Sequence, residues 1–86
     1  MPATRALENV VSVLVEAGGR PEHIVRMTLY LTDRASYLDR QEETGAAYRS
    51  IMGRHFPAMS AVQVAALIEP GALLEIEATA VLPASE

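Results

Sequence analysis

The chain has 86 residues, a formal net charge of −4 and no cysteine or lysine. This length predicts one domain, and a composition of 50% hydrophobic and 21% charged residues is typical of a globular protein rather than a disordered chain. The missing residue types exclude a disulfide, a thiol nucleophile, a cysteine metal site and a lysine Schiff base.

The first predicted element is a helix that Thr4 caps and that Gly18-Gly19 ends. Its apolar residues recur at helical spacing and are Leu7, Val10, Val11 and Leu14. After a short turn that Pro21 opens, residues 24–31 read as a β-branched, apolar strand. Its alternation predicts two faces, one with Val25, Met27, Leu29 and Leu31 and the other with Ile24, Arg26, Thr28 and Tyr30.

A second helix is predicted to begin at a cap, either Asp33 or Ser36, and to run to about Gly53. Two strands follow, at about residues 60–67 and 72–82. Residues 69–71, Glu-Pro-Gly, predict a hairpin turn between them. In the last strand Glu75 and Glu77 share one face with Thr79, while Leu74, Ile76 and Ala78 face the other way.

The element order α-β-α-β-β predicts an α+β fold, with two helices packed on one face of a small mixed sheet. The second face of the sheet then has no helix to cover it. Because an exposed, partly apolar face of this kind marks an interface, we expect an oligomer whose subunits pack sheet to sheet.

Seven arginines supply all the basic charge and are scattered along the chain, so nucleic acid is not favoured as a partner. The first residues, MPATRALENVV, do not resemble a signal peptide, and no apolar run is long enough to span a membrane. We therefore expect a soluble, cytoplasmic protein without a membrane partner. No phosphate-binding loop is present, and neither His23 nor His55 has metal-ligand spacing, so we expect no cofactor and no metal.

Several motifs together resemble the RidA/YjgF family, also called endoribonuclease L-PSP, over almost the whole chain. They are Asn9 in the first helix, Gly18-Gly19, Tyr30-Leu31-Thr32-Asp33, Phe56-Pro57-Ala58 and Glu75-Ile76-Glu77-Ala78. The resemblance implies a chorismate-mutase-like fold and a homotrimer with ligand clefts between subunits. Family members usually have further strands before the first helix, so we expect residues 1–86 to form a single domain that lacks those strands.

The resemblance also implies an activity, the hydrolysis of enamines and imines derived from amino acids. In the family an arginine binds the substrate carboxylate and a glutamate positions the attacking water. Met59 occupies the arginine position here, in Pro57-Ala58-Met59-Ser60, and the glutamate falls on Glu75. Methionine cannot hold a carboxylate through a fork of donors.

We therefore expect Glu75 as the catalytic carboxylate, and Met59, Ala61 and Gln41 as ligand-contacting residues, in a small-molecule cleft between subunits near Met59. Glu77 would pair across the interface. The deaminase activity is expected to be weak or absent, and a neutral or apolar ligand would suit Met59 best.

Three alternatives remain open. The chain can be an active hydrolase in which another cation, such as Arg26, replaces the missing arginine. It can be a non-enzymatic binding or interaction module that keeps the scaffold. The historical ribonuclease label is the least favoured, because a phosphate backbone requires clustered cations. Without the resemblance, Glu75 and Glu77 would be read as an ordinary solvated face and Met59 as core.

Overall fold

A computed structural model describes residues 2–84 of the chain. Helix α1 spans Pro2–Glu16 and strand β1 spans Ile24–Leu31, after a short 3₁₀ turn at Pro21–His23. The remaining elements are α2 at Arg34–Asp39, α3 at Gln41–Met52, β2 at Ala58–Gln63 and β3 at Leu74–Ala80. Within residues 2–84, no helix combines the length and the apolar character needed to cross a lipid bilayer.

Helix α1 packs through the predicted apolar stripe, with Leu7 only 3% exposed. The prediction that Gly18-Gly19 ends this helix is also confirmed. Gly18 adopts a φ of +87°, which glycine takes without strain. The N–H of Gly19 donates to the carbonyl of Leu14 and the N–H of Gly18 to that of Val15, both at 2.9 Å, which is the Schellman arrangement. The predicted cap at Thr4 was wrong, because the helix already includes Pro2.

Strand β1 contains a β-bulge that reverses two of the predicted side-chain directions. Ile24 pairs with Ala80 on β3 and Arg26 pairs with Thr79, so two steps along β1 match one step along β3. The extra residue moves Ile24 into the core, where it is 1% exposed, and leaves Val25 49% exposed. The alternation beyond the bulge follows the prediction, with Met27, Leu29 and Leu31 buried on the helix side.

The predicted second helix is two helices. Asp33 caps α2, as one of the two predictions had it, and its carboxylate accepts a hydrogen bond from the N–H of Ser36 at 3.2 Å. The helical path is interrupted at Arg40, whose φ of −112° and ψ of 21° are not helical. Helix α3 then runs to Met52 and ends at Gly53, where φ is +63°.

The predicted hairpin between the last two strands was wrong. Strands β2 and β3 lie on opposite sides of β1, in the order β2-β1-β3. Strand β2 runs parallel to β1 and β3 runs antiparallel to it. Parallel pairing needs a long crossover, which α2 and α3 provide, and residues 64–73 then carry the chain across to the other edge. The N–H of Thr32 donates to the carbonyl of Leu73 at 3.2 Å and anchors the end of this loop beside β1.

The core lies between the helices and the β1–β3 side of the sheet. Its buried members come from α1, β1 and α3 and are Ala3, Leu7, Ile24, Met27, Leu29, Leu31 and Met52. Half-buried Leu74, Ile76 and Ala78 of β3 pack against them. All six residues of β2, in contrast, are exposed. The helix layer therefore covers two strands of the sheet and leaves the third largely uncovered.

The opposite face of the sheet, here called the open face, is more polar than predicted. The register places nine residues on it, namely Arg26, Thr28, Tyr30, Ala58, Ser60, Val62, Glu75, Glu77 and Thr79. The bulge removes Ile24 from this face. The two glutamates do point away from the core, as the alternating exposure along β3 confirms. The Tyr30 hydroxyl donates to Oε1 of Glu77 at 3.4 Å.

The bulge predicts that the adjacent residues Ile24 and Val25 contribute unequally to the free energy of unfolding. Ile24→Ala removes a fully buried side chain and should lower the free energy of unfolding by about 2–5 kcal/mol. Val25→Ala acts on a half-exposed side chain and should stay within about 0.5 kcal/mol of wild type. Urea denaturation followed by circular dichroism, at one fixed protein concentration, measures both. Equal losses in the two variants would contradict the bulged register.

Candidate functional site

A cavity of about 250 Å³ lies where the helix layer stops short of β2, and we call it the Met59 cavity. Met59 is the second residue of β2 and pairs with buried Met27 of β1. Paired residues share a face of the sheet, so Met59 lies on the helix side. The cavity is lined by Ala3, Leu7, Met27, Leu29, Tyr37, Gln41, Thr44, Gly45, Tyr48, Arg49, Phe56, Met59 and Ile76. Its walls are mainly apolar, with polar groups contributed by α3.

One wall of the Met59 cavity is an aromatic pair held by hydrogen bonds. The rings of Tyr48 and Phe56 stack with centroids 5.5 Å apart and planes inclined by 17°. The Tyr48 hydroxyl donates to the carbonyl of His55 at 2.6 Å, and the His55 ring nitrogen Nε2 lies 2.6 Å from the carbonyl of Ile24. These two bonds connect α3, the turn before β2 and the start of β1. Partial burial raises the pKa of the Tyr48 phenol above its ordinary value of 10.0.

The mouth of the cavity exposes apolar side chains to solvent. Phe56 is 69% exposed and Met59 is 43% exposed in the single chain. Burying these groups under a ligand or another chain would be favourable at roughly 25 cal/mol per Å² of apolar surface removed from water. The exposed part of the cavity is therefore mainly apolar, and a molecule placed there would gain first from apolar contact.

The other two predicted ligand-contacting residues, Gln41 and Ala61, lie on the same side of the sheet as Met59. Gln41 is the first residue of α3 and lines the cavity together with Met59. Ala61 pairs with Leu29, so it shares the helix-side face two residues further along β2, although it does not line the cavity wall. Gln41 thus lies near Met59 and Ala61 lies on the same strand face, while contact of either residue with a ligand stays a prediction.

Glu75 is not brought together with Met59 within one chain. It pairs with Tyr30 and lies exposed on the open face, whereas Met59 lies on the helix-side face of the far edge strand. Arg26, considered as a replacement cation, pairs with Thr79 and also lies on the open face. A site that uses both Glu75 and Met59 would need a second chain, so the intersubunit cleft stays a prediction.

A cavity residue that the sequence analysis missed is Arg49. It lines the Met59 cavity from α3. An ideal Cβ built on Gly45, one turn earlier, would lie 3.2 Å from Nη1 of Arg49. The guanidinium therefore lies back along the helix over Gly45, in the direction in which helical side chains point. The sequence signal for this position was Gly45, four residues before Arg49 on the predicted second helix, which leaves room for the arginine side chain.

The groups that line the Met59 cavity are suited to contact with a ligand. None of the described residues lining it is an aspartate, glutamate or histidine, so the single chain supplies no general base there. Within residues 2–84, no three acidic or histidine side chains gather as metal ligands. Arg49, Gln41 and Thr44 provide donors, and Met59 and the aromatic pair provide apolar surface.

Comparison with known proteins identifies this architecture. Helices α1, α2 and α3 on one face of a three-stranded mixed sheet define an α+β protein of the chorismate-mutase-like class, and solved structures of that class superpose on it. The family model for endoribonuclease L-PSP matches residues 2–82. The chain belongs to this family, the RidA/YjgF family, as the sequence motifs predicted.

Individual relatives support the same assignment. Protein DfrA of Myxococcus xanthus is 37% identical over 83 residues, which cover 92% of this chain and 56% of that protein. A RutC family protein of Synechocystis is 37% identical, covering 94% of this chain and 59% of the relative. The chain thus spans between half and two thirds of the length of these relatives.

Solved structures with similar sequences also match closely. A YjgF/YER057c/UK114 family member from Mycobacterium tuberculosis is 36% identical with a TM-score of 0.77, covering 93% of this chain and 64% of that one. Escherichia coli TdcF, solved with bound serine, is 36% identical with a TM-score of 0.75, covering 94% of this chain and 62% of that one.

The hydrogen bond of Tyr48 predicts a loss of stability in Tyr48→Phe. The variant keeps the stack on Phe56 but leaves the His55 carbonyl without its donor, which should cost about 0.5–1.5 kcal/mol at neutral pH. The raised pKa of Tyr48 favours its neutral form in the folded state, so its contribution is complete below pH 10.0 and is lost as pH rises above that value. The variant should lack this alkaline loss.

Denaturant unfolding at neutral and alkaline pH measures both effects. Tyr37→Phe is the matched control, because the Tyr37 hydroxyl makes no hydrogen bond within residues 2–84. It should cost less than Tyr48→Phe at neutral pH. An alkaline loss of the same size in wild type and in Tyr48→Phe would contradict the assigned role of this phenol.

Proposed function

We propose that the protein is a homotrimer that binds a small molecule in clefts between its subunits, at the Met59 cavity, and hydrolyses enamines or imines weakly or not at all. The observation that carries the proposal is Met59 itself, which stands in the arginine position of the family motif and lines a mainly apolar cavity. A thioether presents polarisable surface to a ligand but no charge.

The placement of Glu75 supports weak hydrolysis. The resemblance implies an arginine and a glutamate that act on one substrate, yet Glu75 lies on the open face and Met59 on the helix-side face of the same sheet. A neighbouring subunit could bring another Glu75 to the cleft, but the carboxylate-binding arginine would still be replaced by Met59. Removing one partner of a buried charge pair costs about 2–5 kcal/mol.

Small-molecule binding has support from a relative. TdcF of Escherichia coli, 36% identical to this chain, was solved with bound serine. The cavity at Met59, of about 250 Å³, is the place proposed for a small ligand in this chain. The exposure of Phe56 and Met59 favours completion of the cavity by another chain, because both apolar side chains would then leave water.

A second candidate function, an active imine hydrolase with a different cation, is favoured by Arg49 rather than by Arg26. Arg49 lines the cavity, whereas Arg26 lies on the open face. A non-enzymatic interaction module is the third possibility. The ribonuclease function in the family's description has the least support, since the chain carries a net charge of −4.

The open face, which no helix covers, predicts that the chains associate as a trimer. Light scattering of the purified protein at micromolar concentration should give about three chains per particle. Val62→Asp places a charge at a 43% exposed apolar position on the open face and should shift the particles towards monomer. Ser12→Asp is the control, because Ser12 is an exposed polar residue of α1, on the helix side of the sheet, and its substitution should leave the trimer intact. A monomeric or dimeric wild type would refute the trimer.

Methionine in the arginine position predicts a low rate of imine hydrolysis. If an imine is generated from an amino acid by an amino-acid oxidase, its decay should be nearly the same with and without this protein. At about 1.4 kcal/mol per factor of ten, the missing charge contact corresponds to a rate loss on the order of tens to thousands-fold. Met59→Arg should raise the rate and Met59→Leu should not.

Comparison with an arginine-bearing member of the family sets the scale of this assay. Wild-type turnover equal to that of such a member would overturn the proposal of weak hydrolysis and favour the second candidate. Ammonia release distinguishes true hydrolysis from slow binding of the imine.

A further inference from the structure

Strand β3 forms one edge of the sheet. Within the residues that the structure describes it pairs with β1 alone, so its other edge is free. An edge strand presents a row of unpaired N–H and C=O groups, which form a template for pairing with another extended chain. Proteins commonly protect such an edge with lysine, proline or a bulge in the edge strand. Strand β3, Leu74–Ala80, contains neither lysine nor proline, and the extra residue of the bulge belongs to β1.

An apolar groove of about 420 Å³, here called the Val13 groove, lies between helix α1 and β3. Its lining includes Val10, Val13, Leu14 and Ala17 from α1, and Ala78 and Ala80 from β3. None of the described lining residues comes from α2, α3 or β2, so the groove opens towards the free edge of β3. Val13 is 71% exposed there. The groove shares no lining residue with the Met59 cavity.

The other face of β3 is acidic. Glu75 and Glu77 lie exposed on the open face, and the ion pair that forms within residues 2–84 joins Arg20 to Glu22 instead. Opposite charges that face each other on adjacent strands stabilise the pairing, and like charges destabilise it. A strand added at this edge is therefore favoured by apolar side chains on the helix side and basic side chains on the open face.

Helix α1 excludes a second copy of β3 as this added strand. Because α1 packs on β3, two copies joined edge to edge would place two α1 helices over one seam. Neighbouring strands lie about 4.8 Å apart, whereas packed helices need about 8–10 Å between their axes. Strand β2 of a second copy is largely uncovered, but it contains no basic residue to face the glutamates of β3. The occupant is then an extended segment that carries no helix of its own.

We propose that the free edge of β3 and the Val13 groove bind an extended segment of a partner protein in which apolar and basic residues alternate. The segment adds a fourth strand to the sheet. Its apolar side chains lie under α1, and its basic side chains face Glu75 and Glu77. Backbone hydrogen bonds supply affinity in this mode of recognition, and the alternating side chains supply specificity. The inference goes beyond the proposed function, because it concerns a surface separate from the Met59 cavity.

The test measures binding of labelled, capped peptides to the full chain by fluorescence anisotropy. One peptide alternates valine with lysine, a second alternates valine with glutamate, and a third has the composition of the first arranged as one block of valine and one of lysine. Wild type should bind the first more tightly than the others, by a factor on the order of ten. Replacing both glutamates, Glu75→Gln and Glu77→Gln, should abolish the preference for lysine over glutamate. Amide hydrogen exchange in β3 should slow when the first peptide binds.

Two valine variants on α1 locate the binding surface. Val13→Asp places a charge in the groove and should weaken the first peptide by a factor on the order of ten. Val15→Asp is the matched control, because Val15 is 57% exposed on the same helix outside the groove lining and should bind as wild type does. Equal binding by the two variants would overturn the proposal, as would failure of wild type to bind the first peptide or equal binding of all three. Particles larger than a trimer that Val13→Asp dissociates would show instead that a second copy occupies the edge.

Discussion

The pairing register of the central strand β1 decides on which face of the sheet Met59 and Glu75 lie. Met27 of β1 holds Met59 on the helix side, and Tyr30 of β1 holds Glu75 on the open face. Since side chains alternate along a strand, a shift of one residue would exchange the two faces. The bulge beside Ile24 performs such a shift at the start of the strand only, which adds a buried side chain to the core without disturbing the register further along. Core and site therefore depend on the same strand.

Local patterns in the sequence predicted the elements but not their neighbours. The stripe of α1, the glycine stop and the outward direction of Glu75 follow from helical and strand periods, which the side chains themselves reveal. Strand order does not follow from these periods, because β2 and β3 would show the same alternation of side chains whether they paired with each other or with β1. The bulge and the break at Arg40 escaped for a related reason: each is a backbone irregularity set by packing, with no glycine or proline to mark it.

The site was predictable only to the extent that it follows motif positions. Met59 and Gln41 do meet at one cavity. Arg49 was missed because its place in the cavity wall, over Gly45, follows from the three-dimensional fold and has only a faint signal in the sequence. The separation of Glu75 from Met59 follows from strand order and face, so it could be seen only once the sheet was known. In this geometry Met59 lies on the helix-side face of the sheet, and Glu75 and Glu77 lie on the open face.

Strand β2 has a further consequence for the energetics of the molecule. All six of its residues are exposed, so within one chain it contributes little burial to oppose its own conformational entropy. It is therefore the strand expected to detach first by local unfolding, with the rest of the fold remaining intact. Anything that occupies the cavity at Met59 binds only the attached form and shifts the population towards it. Occupancy of the cavity and attachment of β2 are then coupled in one equilibrium. Amide hydrogen exchange in β2 would therefore report ligand binding even where no reaction occurs.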